Sequence, residues 1–171
     1  MRLFLGIKLP PSVAKYLYPI GREIAKTRGG NPTQERNYHL TLHFLGDVSP
    51  EVVIRAMNAS APSPAFFLRL SEAGTFRHGN REVCWAGVKV TADLIRLHLS
   101  LSQALLSEGL QPEDIPYRPH ITLCRNAPTG PLPLPDIPPL TFPVGAVTLF
   151  SSERDENGLV YRKIHEKELL I

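Results

Sequence analysis

A tetrapeptide that occurs twice constrains this chain more than any other feature. His39-Leu40-Thr41-Leu42 and His120-Ile121-Thr122-Leu123 repeat one His-apolar-Thr-Leu pattern about half the chain apart. Both runs are β-compatible, and side chains on a strand alternate between its two faces. His and Thr of each copy then share one face, while Leu40, Leu42, Ile121 and Leu123 point into a core. If the two halves are related by a pseudo-two-fold, the two strands lie near one another and aim both His/Thr pairs at a single cleft. Arg125 follows the second copy as a fixed cation.

Two imidazoles, two hydroxyls and an arginine, with no adjacent carboxylate for a nucleophile triad and no glycine-rich phosphate loop, point to acid–base chemistry. With an ordinary pKa near 6.5, one His can accept a proton while the other donates one, each role contributing roughly 10²–10⁴ in rate. Threonine hydroxyls and a guanidinium suit the non-bridging oxygens of a phosphate. A metal-free phosphodiester reaction is the natural candidate, and no cofactor is implied. His43 also falls on the His39 face by strict alternation, but residues four apart on a strand are about 13 Å apart. That separation does not suit a shared ion, so His43 reads as a solvated or substrate-edge residue.

The surrounding chain reads as a mixture of short strands and three helices. Alternation predicts a strand over Arg2 to Lys8 with Leu3, Leu5 and Ile7 on one face, then a helix from Pro10-Pro11 through Lys26 and a loop over Thr27 to Gln34. A strand over Tyr38 to Leu45 and a helix from Ser49-Pro50 through Ser60 follow. Phe66 to Leu70 and Glu82 to Val90 read as strands joined by a polar link around Phe76 to Arg81. Leu94, Leu97, Leu101, Ala104 and Leu105 mark a helix over Thr91 to Ser107, with Gly109 just past its end. Pro119 to Arg125 is again a strand. Pro128 to Pro139 cannot supply a full set of ladder donors and reads as an extended surface loop. Two last strands, Leu140 to Ser151 and Leu159 to Leu169, pair across the Asp155 to Gly158 turn. Short links between strands argue for an α+β fold with largely antiparallel sheets rather than a doubly wound nucleotide fold.

Composition closes off other classes. The 171 residues are 43% hydrophobic and 20% charged, enough to build a core and too apolar for a disordered chain. The formal charge of +3 and pI near 9.0 suit an anionic small substrate or a short nucleic acid. Cys84 and Cys124 have no CxxC partner and read as buried free thiols of a reducing cytoplasm. No apolar run approaches the roughly 20 residues that span a bilayer, and the opening RLFLGIKL is too short for a signal-peptide core. Phe44, Phe76, Trp85 and Tyr117 are candidates to stack a base, with a place in the core as the competing reading. Arg118 lines the cleft or is solvated. His78, His98 and His165 read as structural or surface residues.

The segments RLFLGIKLP, NYHLTLHFLGDV, EAGTFRHGNREVCWAGV and YRPHITLCRNA resemble the two-histidine phosphoesterase superfamily, and within it the bacterial RNA 2′,3′-cyclic phosphodiesterases, also called 2′-5′ RNA ligases. The resemblance spans nearly the whole chain and is weakest in the Pro-rich stretch. It implies one domain over residues 1–171, made of two intertwined lobes with a central cleft and one His-x-Thr-x motif in each. It implies opening of a terminal 2′,3′-cyclic phosphate to a 2′-phosphate, with His39 as general acid and His120 as general base, an assignment that the symmetry of the motifs alone leaves open. Thr41, Thr122 and Arg125 would bind the phosphate, and a 5′-hydroxyl in place of water would give a 2′-5′ ligation. The expected partners are RNA ends carrying a 2′,3′-cyclic phosphate, tRNA fragments among them, acted on by a monomer that binds no membrane. Two other readings compete: a phosphodiesterase of a small cyclic nucleotide or a 2′-5′ oligonucleotide, and a non-catalytic RNA-binding module.

Overall fold

Pro11 with its preset φ opens the first helix and Gly29, at φ 88°, closes it, while Val13, Ala14, Leu17 and Ile24 form its buried stripe. Such local signals divide the chain into β1 (Arg2–Lys8), α1 (Pro11–Arg28), the two-residue β2 (Asn31–Pro32), β3 (His39–Asp47) and α2 (Pro50–Ala59). Then come β4 (Phe66–His78), β5 (Arg81–Val88), α3 (Ala92–Ser107), β6 (His120–Pro128), β7 (Thr141–Val144), β8 (Ala146–Asp155) and β9 (Gly158–Glu168). The structure is a computed structural model that describes residues 2–113, 115–131 and 133–171. Leu132 of the Pro-rich stretch thus lies outside the described residues. No described helix is long and apolar enough to cross a membrane.

Two antiparallel sheets form, ordered β3-β1-β8-β9 and β2-β6-β5-β4-β7. Each holds one copy of the repeated motif in the same setting. β3 runs antiparallel to β1 with His39 opposite Lys8, and β6 runs antiparallel to β5 with His120 opposite Gly87. A helix connects the two strands in each case. The helices are exchanged between the halves: α1 packs on β6, and α3 packs on α2 and β3. A single apolar core therefore runs through both sheets. This is an α+β architecture of two antiparallel sheets, as the short links between strands predict.

Three expectations need correction. The strand expected to end at Leu70 continues to His78, because an irregularity between Leu70 and Ala73 lets β4 pair first with β7 and then with β5. The strand expected over Leu140 to Ser151 breaks at Gly145, where the chain leaves the second sheet and enters the first. The loop expected over Thr27 to Gln34 is shortened by two further helical residues, to Arg28, and by β2, which pairs Asn31 with Arg125 and Pro32 with Cys124. The described part of the Pro-rich loop lies on the α1 side of the second sheet, where Leu134, Pro135 and Ile137 share a cavity with Arg28 and Glu82. The Arg28 guanidinium donates to Glu82 at 3.0 Å and to the Gly130 carbonyl at 2.8 Å.

The positions of β6 and α1 are coupled at Gly21. A Cβ there would stand 2.7 Å from the Leu123 carbonyl oxygen and 2.9 Å from the Tyr38 hydroxyl. Gly21→Ala gains about 1 kcal/mol of helix propensity, yet it drives a methyl into backbone that cannot move aside. We expect a net loss of roughly 1–3 kcal/mol, read as a lower urea midpoint with unchanged m-value.

Candidate active site

His39 and His120 are the first residues of their strands, and the chain just before each strand supplies the same contact. His39 Nδ1–H donates to the Asn37 carbonyl at 2.8 Å, and His120 Nδ1–H donates to the Arg118 carbonyl at 2.7 Å. A carbonyl only accepts, so each neutral ring carries its proton on Nδ1 and leaves Nε2 as its basic nitrogen. The Thr41 hydroxyl donates to His39 Nε2 at 2.8 Å. Each imidazole also stands at right angles to an aromatic ring, His39 to Tyr161 at 4.9 Å and His120 to Phe76 at 4.8 Å. Edge-on packing of this kind fixes the ring plane.

A matched pair of bulges completes the site. In the β1–β3 ladder Gly6 faces Thr41 and Leu5 faces His43, so Leu42 is an extra residue. In the β5–β6 ladder Trp85 faces Thr122 and Cys84 faces Cys124, so Leu123 is the extra residue. One extra residue reverses the alternation beyond it. His43, expected on the solvated His39 face, is instead buried. It donates Nε2–H to the His98 carbonyl at 3.0 Å and stacks on the His98 ring at 4.1 Å. Phe44 returns to the cleft, 49% exposed and 6.0 Å from Phe4. Arg125 likewise returns to the cleft side, exposed, and lines the cavities that contain His39.

Three cavities border the histidines, one beside His120 and two beside His39, and the first shares Phe44 and Glu113 with the largest of them. One of about 270 Å³ is walled by Phe44, Phe76, Tyr117 and Ile115, with Thr41 and His120 at its edge. Two larger ones, about 730 and 570 Å³, share His39, Arg125, Arg154 and Tyr161, and Thr122 lines the second. All five motif residues thus converge on one cleft. Tyr117 already has partners: its hydroxyl donates to the Thr41 carbonyl at 2.9 Å and its ring stacks on His98 at 4.1 Å. Trp85 packs behind these residues, against Phe76 at 5.0 Å and over Gly74, where any Cβ would collide with the indole. Arg118 sits over the Phe76 ring at 6.0 Å. Cys84 and Cys124 are free thiols, buried on the opposite face. Phe4, His98, Arg154 and Tyr161 had no sequence signal that set them apart from ordinary strand and helix residues. Among the described residues no group of three His, Cys, Asp or Glu side chains is placed to hold a metal ion.

The profile of the 2′-5′ RNA ligase superfamily matches residues 18–156. The chain belongs to that superfamily. It is 36% identical over 135 residues to the RNA 2′,3′-cyclic phosphodiesterase of Geobacillus stearothermophilus, a match that takes in 71% of this chain and 42% of that relative. It is 29% identical to the RNA 2′,3′-cyclic phosphodiesterase of Thermus thermophilus, over 99% of this chain and 90% of the relative. The crystal structure of Escherichia coli LigT complexed with 3′-AMP superposes with a TM-score of 0.79 at 30% identity, covering 98% of this chain and 97% of that one.

In this member of the superfamily both cleft imidazoles are held below their ordinary pKa. Burial pushes His39 down to about 4, opposed by the Asn37 carbonyl and reinforced by the Arg125 and His120 charges. Burial also lowers His120, opposed by the Arg118 carbonyl and reinforced by Arg125. Both rings are neutral near pH 7 in the unliganded protein, with the His39 Nε2 lone pair accepting from the Thr41 hydroxyl. Because Arg125 favours the neutral form of both, Arg125→Gln should raise both pKa values, measured from the Hε1 resonances in a proton NMR titration.

Proposed function

We propose that this protein hydrolyses RNA ends that carry a 2′,3′-cyclic phosphate, leaving a 2′-phosphate. The observation that carries the reading is the pair of imidazoles whose tautomers are fixed by Asn37 and Arg118, so that Nε2 is the basic nitrogen of each, with Arg125 acting on the charge of both rings. Relatives named RNA 2′,3′-cyclic phosphodiesterase support the substrate class.

His120 Nε2 takes a proton from water as the water oxygen bonds to phosphorus. The P–O3′ bond breaks on the opposite side, and protonated His39 Nε2 gives its proton to O3′. The pair thereby exchanges roles, and solvent restores the starting state. Thr122, Arg125 and the Thr41 hydroxyl, once released from His39 Nε2, hold the non-bridging oxygens as charge builds on them. The arriving phosphate anion offsets the Arg125 charge and raises the pKa of His39, which brings the proton to the nitrogen that must donate it. A 5′-hydroxyl in place of water gives a 2′-5′ linkage by the same transfers. Buried free thiols suit the cytoplasm, where tRNA fragments are available as substrates.

A short RNA ending in a 2′,3′-cyclic phosphate, incubated with EDTA-treated protein, should yield the 2′-phosphate. His39→Ala and His120→Ala should each lower the rate by roughly 10²–10⁴ while leaving the circular dichroism spectrum unchanged. Formation of a 3′-phosphate, or full activity in either variant, would overturn the reading.

A further inference from the structure

We propose that Arg2 and Arg154 form a second phosphate subsite, which holds phosphates of the RNA chain adjoining the cyclic end; this rests on the RNA reading above. The placement follows from the β1–β8 ladder, where Phe4 faces Phe150 and Arg2 faces Ser152. Phe4 packs on His39 at 4.9 Å, so this face of the sheet is the floor of the cleft. Arg2 is two residues from Phe4 and Arg154 two residues from Ser152, which keeps both on that floor. The floor thus passes from aromatic rings beneath His39 to guanidinium groups at its far end. Arg2, Ser152 and Arg154 line the cavity of about 730 Å³ that also contains His39 and Arg125.

These two arginines are exposed, and the carboxylates on either side of Arg154 are taken. Asp155 is bound by Arg36 at 2.9 Å, and Glu153 by Arg162 at 3.7 Å and by the Ser151 hydroxyl. Among the described residues neither Arg2 nor Arg154 has an ion pair, and Glu113 is the one carboxylate that lines the cavity. Three cations around one concave surface repel one another, and a ligand bearing several anionic groups relieves that repulsion. A cyclic mononucleotide brings a single phosphate, which the histidines, Thr122 and Arg125 use. Two further guanidiniums match the next phosphates of a polynucleotide, and arginine is the side chain best shaped to grip them.

The test measures kcat/KM across a salt series for cytidine 2′,3′-cyclic phosphate and for a tetranucleotide ending in the same group. Proteins compared are wild type, Arg2→Gln, Arg154→Gln and the double variant. For the tetranucleotide each single change should lower kcat/KM about 5-fold, through KM, and flatten the log–log salt dependence by about 0.7 per arginine. Kinetics with cytidine 2′,3′-cyclic phosphate should not move. Equal losses on both substrates, or none on the tetranucleotide, overturn the subsite. Affinity for a tetranucleotide ending in a 3′-phosphate, which needs no turnover, is measured in parallel. An inactive wild type would defeat the proposed reaction, while the affinity ratios would still decide the subsite.

Discussion

The tautomer of each cleft histidine is set by a backbone carbonyl two residues upstream, and the chemistry of the cleft depends on that choice. Had either ring met a donor at Nδ1, its proton would sit on Nε2 and its lone pair would face the backbone. Asn37 and Arg118 supply acceptors instead. The carbonyls belong to the segments that enter β3 and β6, so where those strands begin also decides which nitrogen is basic. Tyr161 and Phe76 then hold the ring planes from the side. The positions of protons, rather than the mere presence of two histidines, make the pair suitable for coordinated transfer.

The two bulges do comparable work one step outward. A regular strand would have sent Phe44 and Arg125 to the face opposite their histidines. The extra leucine in each strand, Leu42 and Leu123, turns them back. That one device recurs in both lobes shows how closely their geometries correspond, although beyond the bulge their side chains differ. The first lobe gains an aromatic ring, the second a cation, and a symmetric scaffold acquires an asymmetric cleft. The same reversal buries His43 in a stack with His98 and Tyr117 at the wall of the smaller cavity, which ties β3, α3 and the segment before β6 together.

Much of this was legible in the residues. The duplicated motif predicted the pairing of halves, the shared faces of His and Thr, and the apolar role of Leu40, Leu42, Ile121 and Leu123. What escaped was non-local. Neither bulged strand carries a local signature, because the extra residue in each is a leucine that packs as well in a bulge as in a regular strand. Phe76 and Tyr117 read equally as base-stacking or core residues, and no local pattern showed that they line the cavity while also packing on His120 and on His98. The length of β4 was hidden because its two halves answer to different partners, β7 and β5, and a polar stretch that pairs with a neighbour looks like a loop when read alone. The tyrosine beside His39 comes from a strand more than a hundred residues away, which no local pattern could announce.

The crossing at Gly145 has a consequence for how the molecule is made. β1 is the second strand of its sheet and is apolar on both faces, but two of the four strands in that sheet come after Gly145. During synthesis the sheet containing His120 has all its strands by Val144, whereas β1 waits with only β3 for company until β8 emerges. The proton-transfer pair therefore becomes complete only when the end of the fold returns to its beginning. A ribosome that stalls before Gly145 leaves a chain with both histidines present and one of them unhoused.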